Sequence, residues 1–175
     1  KGRYYWNKRT AENLRKAMEQ FQLATDKDPN YALAYVGLAD CYVVLGDYTG
    51  APTRETIPHA KAFAERALQL DASLAEAHAT LGFVAQNLWQ WQTAEDHFKR
   101  AIDLNPNYAT AHQWYSLSLL EMGRFAEALT EIKRAQELDP ISVIISNNIA
   151  NDYLALGNVN SSMEQSKKLI DLDPN

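Results

Sequence analysis

The sequence has one cysteine, no long apolar run and no excess of positive charge. A single cysteine, Cys41, cannot form an internal disulfide, and its apolar neighbours predict a small buried side chain. No segment approaches the roughly 20 apolar residues that a membrane-spanning helix needs, and no charged start followed by an apolar run marks a signal peptide. We therefore expect a soluble chain, with the cytoplasm as the favoured compartment.

Sequence motifs of catalytic, metal and cofactor sites are also missing. The chain has no His-Glu-x-x-His, no Gly-x-Ser-x-Gly, no glycine-rich phosphate loop and no cysteine pair. Its net charge of −5 at pH 7 disfavours contact with the phosphate backbone of nucleic acids. These absences predict a protein that is not an enzyme, holds no metal or cofactor, and has no nucleic-acid partner.

The sequence does contain an internal period of 34 residues. Pro106, Pro140 and Pro174 each follow Asp or Asn at this spacing, and Gly123 and Gly157 repeat it. A period of this length predicts stacked copies of one structural unit. Small, large and small side chains precede three of the prolines at constant distances: Ala94, Phe98 and Ala101, then Ala128, Ile132 and Ala135, and earlier Ala17, Phe21 and Ala24, which lead to Pro29.

The repeated pattern resembles the tetratricopeptide repeat, in which an Ala-x3-aromatic-x2-Ala helix ends in Asp-Pro-Asn. The resemblance implies an all-α fold, a right-handed α–α superhelix or solenoid of helical hairpins, whose concave groove binds a protein or peptide. The fourth unit departs from the family pattern, with Tyr115-Ser116 and Leu119. The Leu-Gly-x2-Tyr half of the repeat appears as Leu38-Ala39 with Tyr42, Leu81-Gly82 with Ala85, and Ile149-Ala150 with Tyr153.

Elementary packing explains why such a pattern folds into hairpins. Ala94 and Ala101 let two antiparallel helices approach closely, Phe98 fills the seam between them, and proline ends each hairpin. One hairpin cannot cover its own apolar face, so hairpins must stack. We predict nine helices plus a partial first one, no strands, and helix breaks near Pro29, Ala72, Pro106 and Pro140.

The register divides the single domain, residues 1–175, into five units. A truncated unit covers residues 1–31, and the others cover 32–74, 75–108, 109–142 and 143–175. The second unit has nine extra residues, and its Gly and Pro between Gly46 and Ala60 predict an enlarged loop, either functional or merely tolerated. Ser73 followed by Glu76 predicts a capping box. Both ends look cut, so we expect a piece of a longer protein whose exposed ends favour self-association.

The first helices of the units are expected to line the groove. Their projected side chains form an apolar floor that grades into amides, which suits an extended or helical peptide. We expect Phe83 and Leu117 to stand side by side as the main anchors. None of the projected positions is Lys or Arg, so the carboxylate clamp of some related proteins is not expected. The predicted groove residues are Leu33, Val36, Asp40, Val43, Ala79, Phe83, Gln86, Gln113, Leu117, Leu120, Asn147 and Asn151.

Two segments leave alternatives open. Residues 1–9 carry four basic and three aromatic side chains, which is the pattern of a nucleic-acid-binding accessory domain and gives the alternative function. Trp89 occupies the turn position of Gly123 and Gly157, where it is either a plug over the helix junction, which we favour, or an exposed anchor for a partner.

Two stretches of the chain, residues 2–10 and 109–115, look like the repeat regions of multidomain bacterial regulators. In those proteins similar repeats follow a winged-helix, nucleotide cyclase or serine/threonine kinase domain. The resemblance implies a scaffolding or sensory segment of a regulatory protein.

Overall fold

The computed structural model describes residues 1–172, and the end of the last predicted unit, residues 173–175, lies outside the described residues. Ten α-helices account for most of the described chain, and no strand occurs within it. The first helix has only six residues, so the prediction of nine helices and a partial first one is confirmed. The helices are α1 (Gly2–Asn7), α2 (Ala11–Lys27), α3 (Ala32–Thr49), α4 (Thr53–Leu70), α5 (Ala75–Asn87), α6 (Trp91–Leu104), α7 (Ala109–Glu121), α8 (Phe125–Leu138), α9 (Val143–Ala155) and α10 (Val159–Leu172).

The helices pack as five consecutive hairpins, from α1–α2 to α9–α10. Each hairpin packs on the next, because α3, α5, α7 and α9 lie side by side and each second helix contacts the following first helix. This is the solenoid that the 34-residue period predicts, and the helices break near Pro29, Ala72, Pro106 and Pro140 as expected. Within residues 1–172, no helix combines the length and apolar character needed to cross a lipid bilayer.

In the third hairpin, small residues facing a large one hold the two helices closely together. Phe98, Ala94 and Ala101 of α6 are fully buried. Gly82 of α5 faces the Phe98 ring so closely that an added Cβ would lie 2.8 Å from its Cδ1. Protein interiors are close-packed, so a side chain at Gly82 would force the ring or the helices to move. A large aromatic residue in α6 is therefore matched by glycine in α5.

The nine extra residues of the second unit lengthen its helices instead of its loop. α3 has 18 residues against 13 in α5, and α4 has 18 against 14 in α6. Only residues 50–52 separate α3 from α4, so the predicted enlarged loop is wrong. Gly50 ends α3 in a left-handed conformation with φ 71°, and Pro58 lies inside α4. At 1.5 Å per residue, the helices of the second hairpin are roughly 7 Å longer than those of the third.

Turns closed by aspartate side chains connect the first three hairpins. The carboxylate of Asp28 accepts the backbone N–H of Asn30 at 3.0 Å, and that of Asp71 accepts the N–H of Ser73 at 2.9 Å. The Ser73 hydroxyl also donates to Asp71 at 2.6 Å, while the N-cap of α5 is Leu74. The predicted capping box at Ser73 is therefore wrong, because the preceding turn already uses its hydroxyl.

Candidate functional site

One face of the solenoid is lined by the first helices of the hairpins, α1, α3, α5, α7 and α9, and we call it the concave surface. The short α1 is anchored there, since Arg3 Nη1 lies 2.7 Å from Asp40 Oδ2 and the Trp6 indole N–H donates to the Asp40 carbonyl at 3.1 Å. The same carboxylate accepts the Thr80 hydroxyl at 2.6 Å. One fully buried side chain, Asp40, thus links the first three hairpins.

An aromatic cluster lies beneath the middle of the concave surface. Trp114 of α7 is 2% exposed, and its ring centre lies 5.0 Å from that of Phe83 and 6.5 Å from that of Trp6. Aromatic pairs at these separations stabilise each other beyond the area they bury. The cluster therefore joins α1, α5 and α7 into one rigid base.

A cavity of about 470 Å³ opens above this base, and we call it the floor cavity. Phe83 and Leu117 are half-buried there, and the amides of Gln113 and Asn147 flank them. The cavity thus combines apolar area with groups that can bond a peptide backbone. Its lining consists of Arg9, Val44, Asp47, Tyr48, Phe83, Gln113, Trp114, Leu117, Val143, Ile144, Asn147, Asn148 and Leu169.

Arg9 brings an unpaired positive charge to the floor cavity. Its guanidinium lies 3.5 Å from the centre of the Trp6 ring, and its Nε is buried without a hydrogen-bond partner. It belongs to none of the ion pairs found among the described residues, and burial lowers its pKa. None of the projected groove positions is Lys or Arg, but α1 and the turn after it carry Arg3 and Arg9 onto the concave surface.

A second cavity, of about 610 Å³, lies where the first helices end, and we call it the rim cavity. Trp89 stands at its edge, 76% exposed, with its ring edge-on to Trp91 at 5.4 Å. The favoured interpretation of Trp89 as a plug is wrong, because its backbone is left-handed (φ 60°) and its ring is in solvent. The lining consists of Val43, Gly46, Asp47, Thr53, Thr56, Ile57, Phe83, Gln86, Asn87, Trp89 and Glu121.

Half of the predicted groove residues line one of these two cavities. Phe83 and Leu117 share the floor cavity as expected, and Phe83 also borders the rim cavity. The six lining residues are Phe83, Gln113, Leu117 and Asn147 for the floor cavity and Val43 and Gln86 for the rim cavity.

The other six predicted residues lie elsewhere. Val36, Asp40 and Ala79 are fully buried, so a partner cannot reach them. Val36 packs between hairpins, and Asp40 holds α1 in place. Leu120 is partly buried against the main core, while Leu33 and Asn151 are exposed outside both cavities.

Sequence reasoning missed four residues of the concave surface, namely Arg3, Trp6, Arg9 and Trp114. Arg3 and Trp6 occupy the same helix positions as Asp40 and Val43, so the register could have assigned them. Arg9 lies in a turn, and helical periodicity carries no information on where a turn residue points.

The basic N-terminal segment is partly used inside the protein. Arg3 bonds Asp40, and Trp6 is 5% exposed. Tyr4 is 62% exposed, with the Lys8 ammonium 4.8 Å from its ring centre. Internal contacts of this kind leave fewer groups for a nucleic acid, so the alternative function gains no specific support.

The histidine side chains, which could serve in catalysis or metal binding, include three that contact other side chains of the chain. His78 Nδ1 lies 3.1 Å from His97 Nδ1, and one period later His112 Nδ1 lies 2.7 Å from Glu131 Oε2. Burial lowers the pKa of both His78 and His97, and it raises the pKa of the Cys41 thiol to about 12. In the described part of the chain, no three or more His, Cys, Asp or Glu side chains are grouped to hold a metal ion.

Several solved structures share this architecture. TTC0263, a thermophilic TPR protein of Thermus thermophilus, matches with a TM-score of 0.77 at 19% identity, over 94% of this chain and 85% of that protein. MamA matches with a TM-score of 0.63 at 22% identity, over 93% and 90%. YrrB, described as a TPR protein with an unusual peptide-binding site, matches with a TM-score of 0.59 at 27% identity, over 94% and 80%. No curated protein matches the sequence.

Sequence profiles give the same relationship. Two profiles, each described as tetratricopeptide repeat, match residues 6–53 and 90–144, and together they cover more than half of the chain. The matched segments contain α2 and α3, and then α6, α7 and α8, which belong to the first four hairpins. With its 34-residue register and its stacked hairpins, this chain belongs to the tetratricopeptide repeat family.

Proposed function

We propose that the concave surface binds an extended peptide segment of a partner protein, seated on the floor cavity. The tetratricopeptide hairpins make the chain a protein-interaction module. On the similarity of its repeats to those of multidomain bacterial regulators, the proposal extends to a scaffolding or sensory role within such a protein.

The half-buried pair Phe83 and Leu117 is the observation that carries this proposal. Both side chains line an open cavity although their neighbour Trp114 is almost fully buried. Exposed apolar area beside a rigid aromatic base is typical of anchors that a partner covers. Gln113 and Asn147 stand beside the pair, where their amides can bond a peptide backbone.

Arg9 gives a second, independent support. Its left-handed backbone (φ 49°) costs a non-glycine residue about 1–2 kcal/mol, and such strain concentrates at binding sites. Stacking on Trp6 holds the guanidinium in place before a partner arrives, which reduces the entropy lost on binding. A further support is the peptide-binding site described for YrrB, which is 27% identical over most of this chain.

The test uses peptides selected from a random display library on the immobilised chain, followed by titration with Phe83→Ala. We expect the substitution to weaken peptide binding by roughly 1–3 kcal/mol, as for a buried aromatic anchor, with a smaller loss of folding stability. Phe125→Ala is the matched control, because Phe125 is 39% exposed and lies outside both cavities.

A different pattern would contradict the proposal. If Phe83 is purely a core residue, Phe83→Ala will lose roughly 3–5 kcal/mol of stability and the remaining folded molecules will bind the peptide normally. Equal loss of binding in Phe125→Ala would move the peptide site away from the floor cavity.

A further inference from the structure

The rim cavity offers electron-rich groups to whatever enters it. Among its described lining residues, the charged side chains are Asp47 and Glu121, and no Lys, Arg or His is present. The exposed face of Trp89 borders the same space. Carboxylates and an indole face both attract cations.

Gln86 adds an acceptor that lacks a donor. Its side chain is 5% exposed, lines the rim cavity, and has its Oε1 buried without a hydrogen-bond partner. A buried acceptor is costly to leave unbonded, so an N–H group brought by a ligand would relieve it. This orphaned oxygen points to a ligand independently of the two carboxylates.

The nine-residue insertion builds one wall of the rim cavity. Gly46 and Asp47 belong to the extra turns of α3, while Thr53 and Thr56 belong to those of α4. The hairpins with 13- and 14-residue helices lack these turns. The insertion therefore supplies a carboxylate and two hydroxyls that the ordinary repeat would not have.

We propose that the rim cavity binds a Lys or Arg side chain of the partner peptide. The alkyl stem lies along Val43 and Phe83, the charged head reaches Asp47 and Glu121 and donates to Gln86 Oε1, and Trp89 covers it as a cation–π partner. Asp47 and Phe83 line both cavities, so one peptide on the floor cavity can place a side chain here. The inference rests on the proposed function in that respect.

Arg9 is the competing cation that acts on Asp47, and the two residues share the floor cavity. Arg9 lines the floor cavity and not the rim cavity. Desolvation raises the pKa of Asp47, and Arg9 partly offsets this rise. A cationic head in the rim cavity would further offset the cost of desolvating the Asp47 carboxylate, which Arg9 offsets only in part.

The test titrates the 15N-labelled chain with Nα-acetyl-L-lysine amide and, as the uncharged control, Nα-acetyl-L-norleucine amide. We expect saturable NMR shifts at the Trp89 indole N–H and the Gln86 side-chain amide with the lysine probe and not with norleucine. Asp47→Asn combined with Glu121→Gln should weaken lysine binding by about tenfold or more. Asp103→Asn, an exposed carboxyl of α6 outside the cavity, should leave it unchanged.

Equal binding of norleucine, shifts confined to other regions, or unchanged lysine affinity in the double variant would each overturn the inference. Both substitutions are close in shape and Asp47 and Glu121 are exposed, so the double variant should fold, as circular dichroism will check. Failure of the proposed function gives a different result. Substitution of Leu117, which lies outside the rim cavity, would then leave the binding of the selected peptides unchanged, while the lysine probe would still shift the Trp89 indole signal.

Discussion

Replacing Asp152 by Asn should stabilise the last hairpin at alkaline pH. Asp152 of α9 is 0% exposed, and neither of its carboxylate oxygens has a hydrogen-bond partner. Burial raises its pKa from the ordinary value of 3.8 to about 7. At the same helix position, earlier hairpins carry Cys41, Val84 and Ser118, none of which is a carboxylic acid.

The sign and size of the effect follow from this raised pKa. The folded state holds a proton more tightly than the unfolded chain, so the stability that this proton brings is present below pH 3.8 and is lost as pH rises through about 7. The difference between the two values corresponds to at most about 4 kcal/mol. Relaxation of the surrounding structure lowers the cost of burying a charge. The Asn amide would itself lack hydrogen-bond partners, which costs about 1–3 kcal/mol. We expect a net gain of about 1–2 kcal/mol at pH 8.

Hydrogen exchange of the α9 amides, corrected for intrinsic rates, measures this gain locally, because hairpins of a solenoid open separately. Protection in Asp152→Asn should exceed that of the parent at pH 8, and the difference should shrink as the pH falls through 7. Asp103→Asn, on the exposed face of α6, controls for the loss of a surface charge. A gain that does not vary with pH, or a loss of protection at pH 8, would refute the assignment of Asp152 as a buried, unpaired acid.

Two further predictions concern stability elsewhere in the chain. Trp89→Gly should raise the free energy of unfolding by about 0.5–1 kcal/mol in urea titrations, because glycine adopts the left-handed conformation without strain; a loss would mean that the ring contact with Trp91 outweighs the strain. Residues 158–172 should exchange their amide hydrogens faster than residues 94–135, since none of residues 159–170 is fully buried while α6 and α8 each bury three interface side chains, and equal protection would contradict this.

The solenoid was predictable because each hairpin repeats the same packing requirement. Phe98 needs a residue as small as Gly82 opposite it, and Ala94 and Ala101 permit the close approach of the two helices. These constraints recur every 34 residues, so they are visible in the sequence without knowledge of distant contacts. The same logic placed Phe83 and Leu117 in one cavity.

The insertion was not predictable in the same way. Gly50, Pro52 and Pro58 look like loop residues because glycine and proline usually interrupt helices. In the structure Gly50 serves as a helix C-cap, Pro52 precedes the first turn of α4, and Pro58 is tolerated on an exposed side of that helix. Both helices continue through these residues, and their added turns line the rim cavity. Whether a helix stops or continues at such residues depends on its contacts with distant parts of the chain, which local sequence does not record.

Two turn residues beside the cavities of the concave surface stand where other repeats have glycine. Arg9 and Trp89 are the two non-glycine residues with positive φ in the described chain, and they occupy the turn position of Gly123 and Gly157. Stability alone would favour glycine at all four places. Arg9 borders the floor cavity and Trp89 borders the rim cavity, so each residue with a strained backbone lies beside one candidate binding cavity. Backbone strain concentrates at binding sites, so the place of both strained turns beside a cavity agrees with the two proposals.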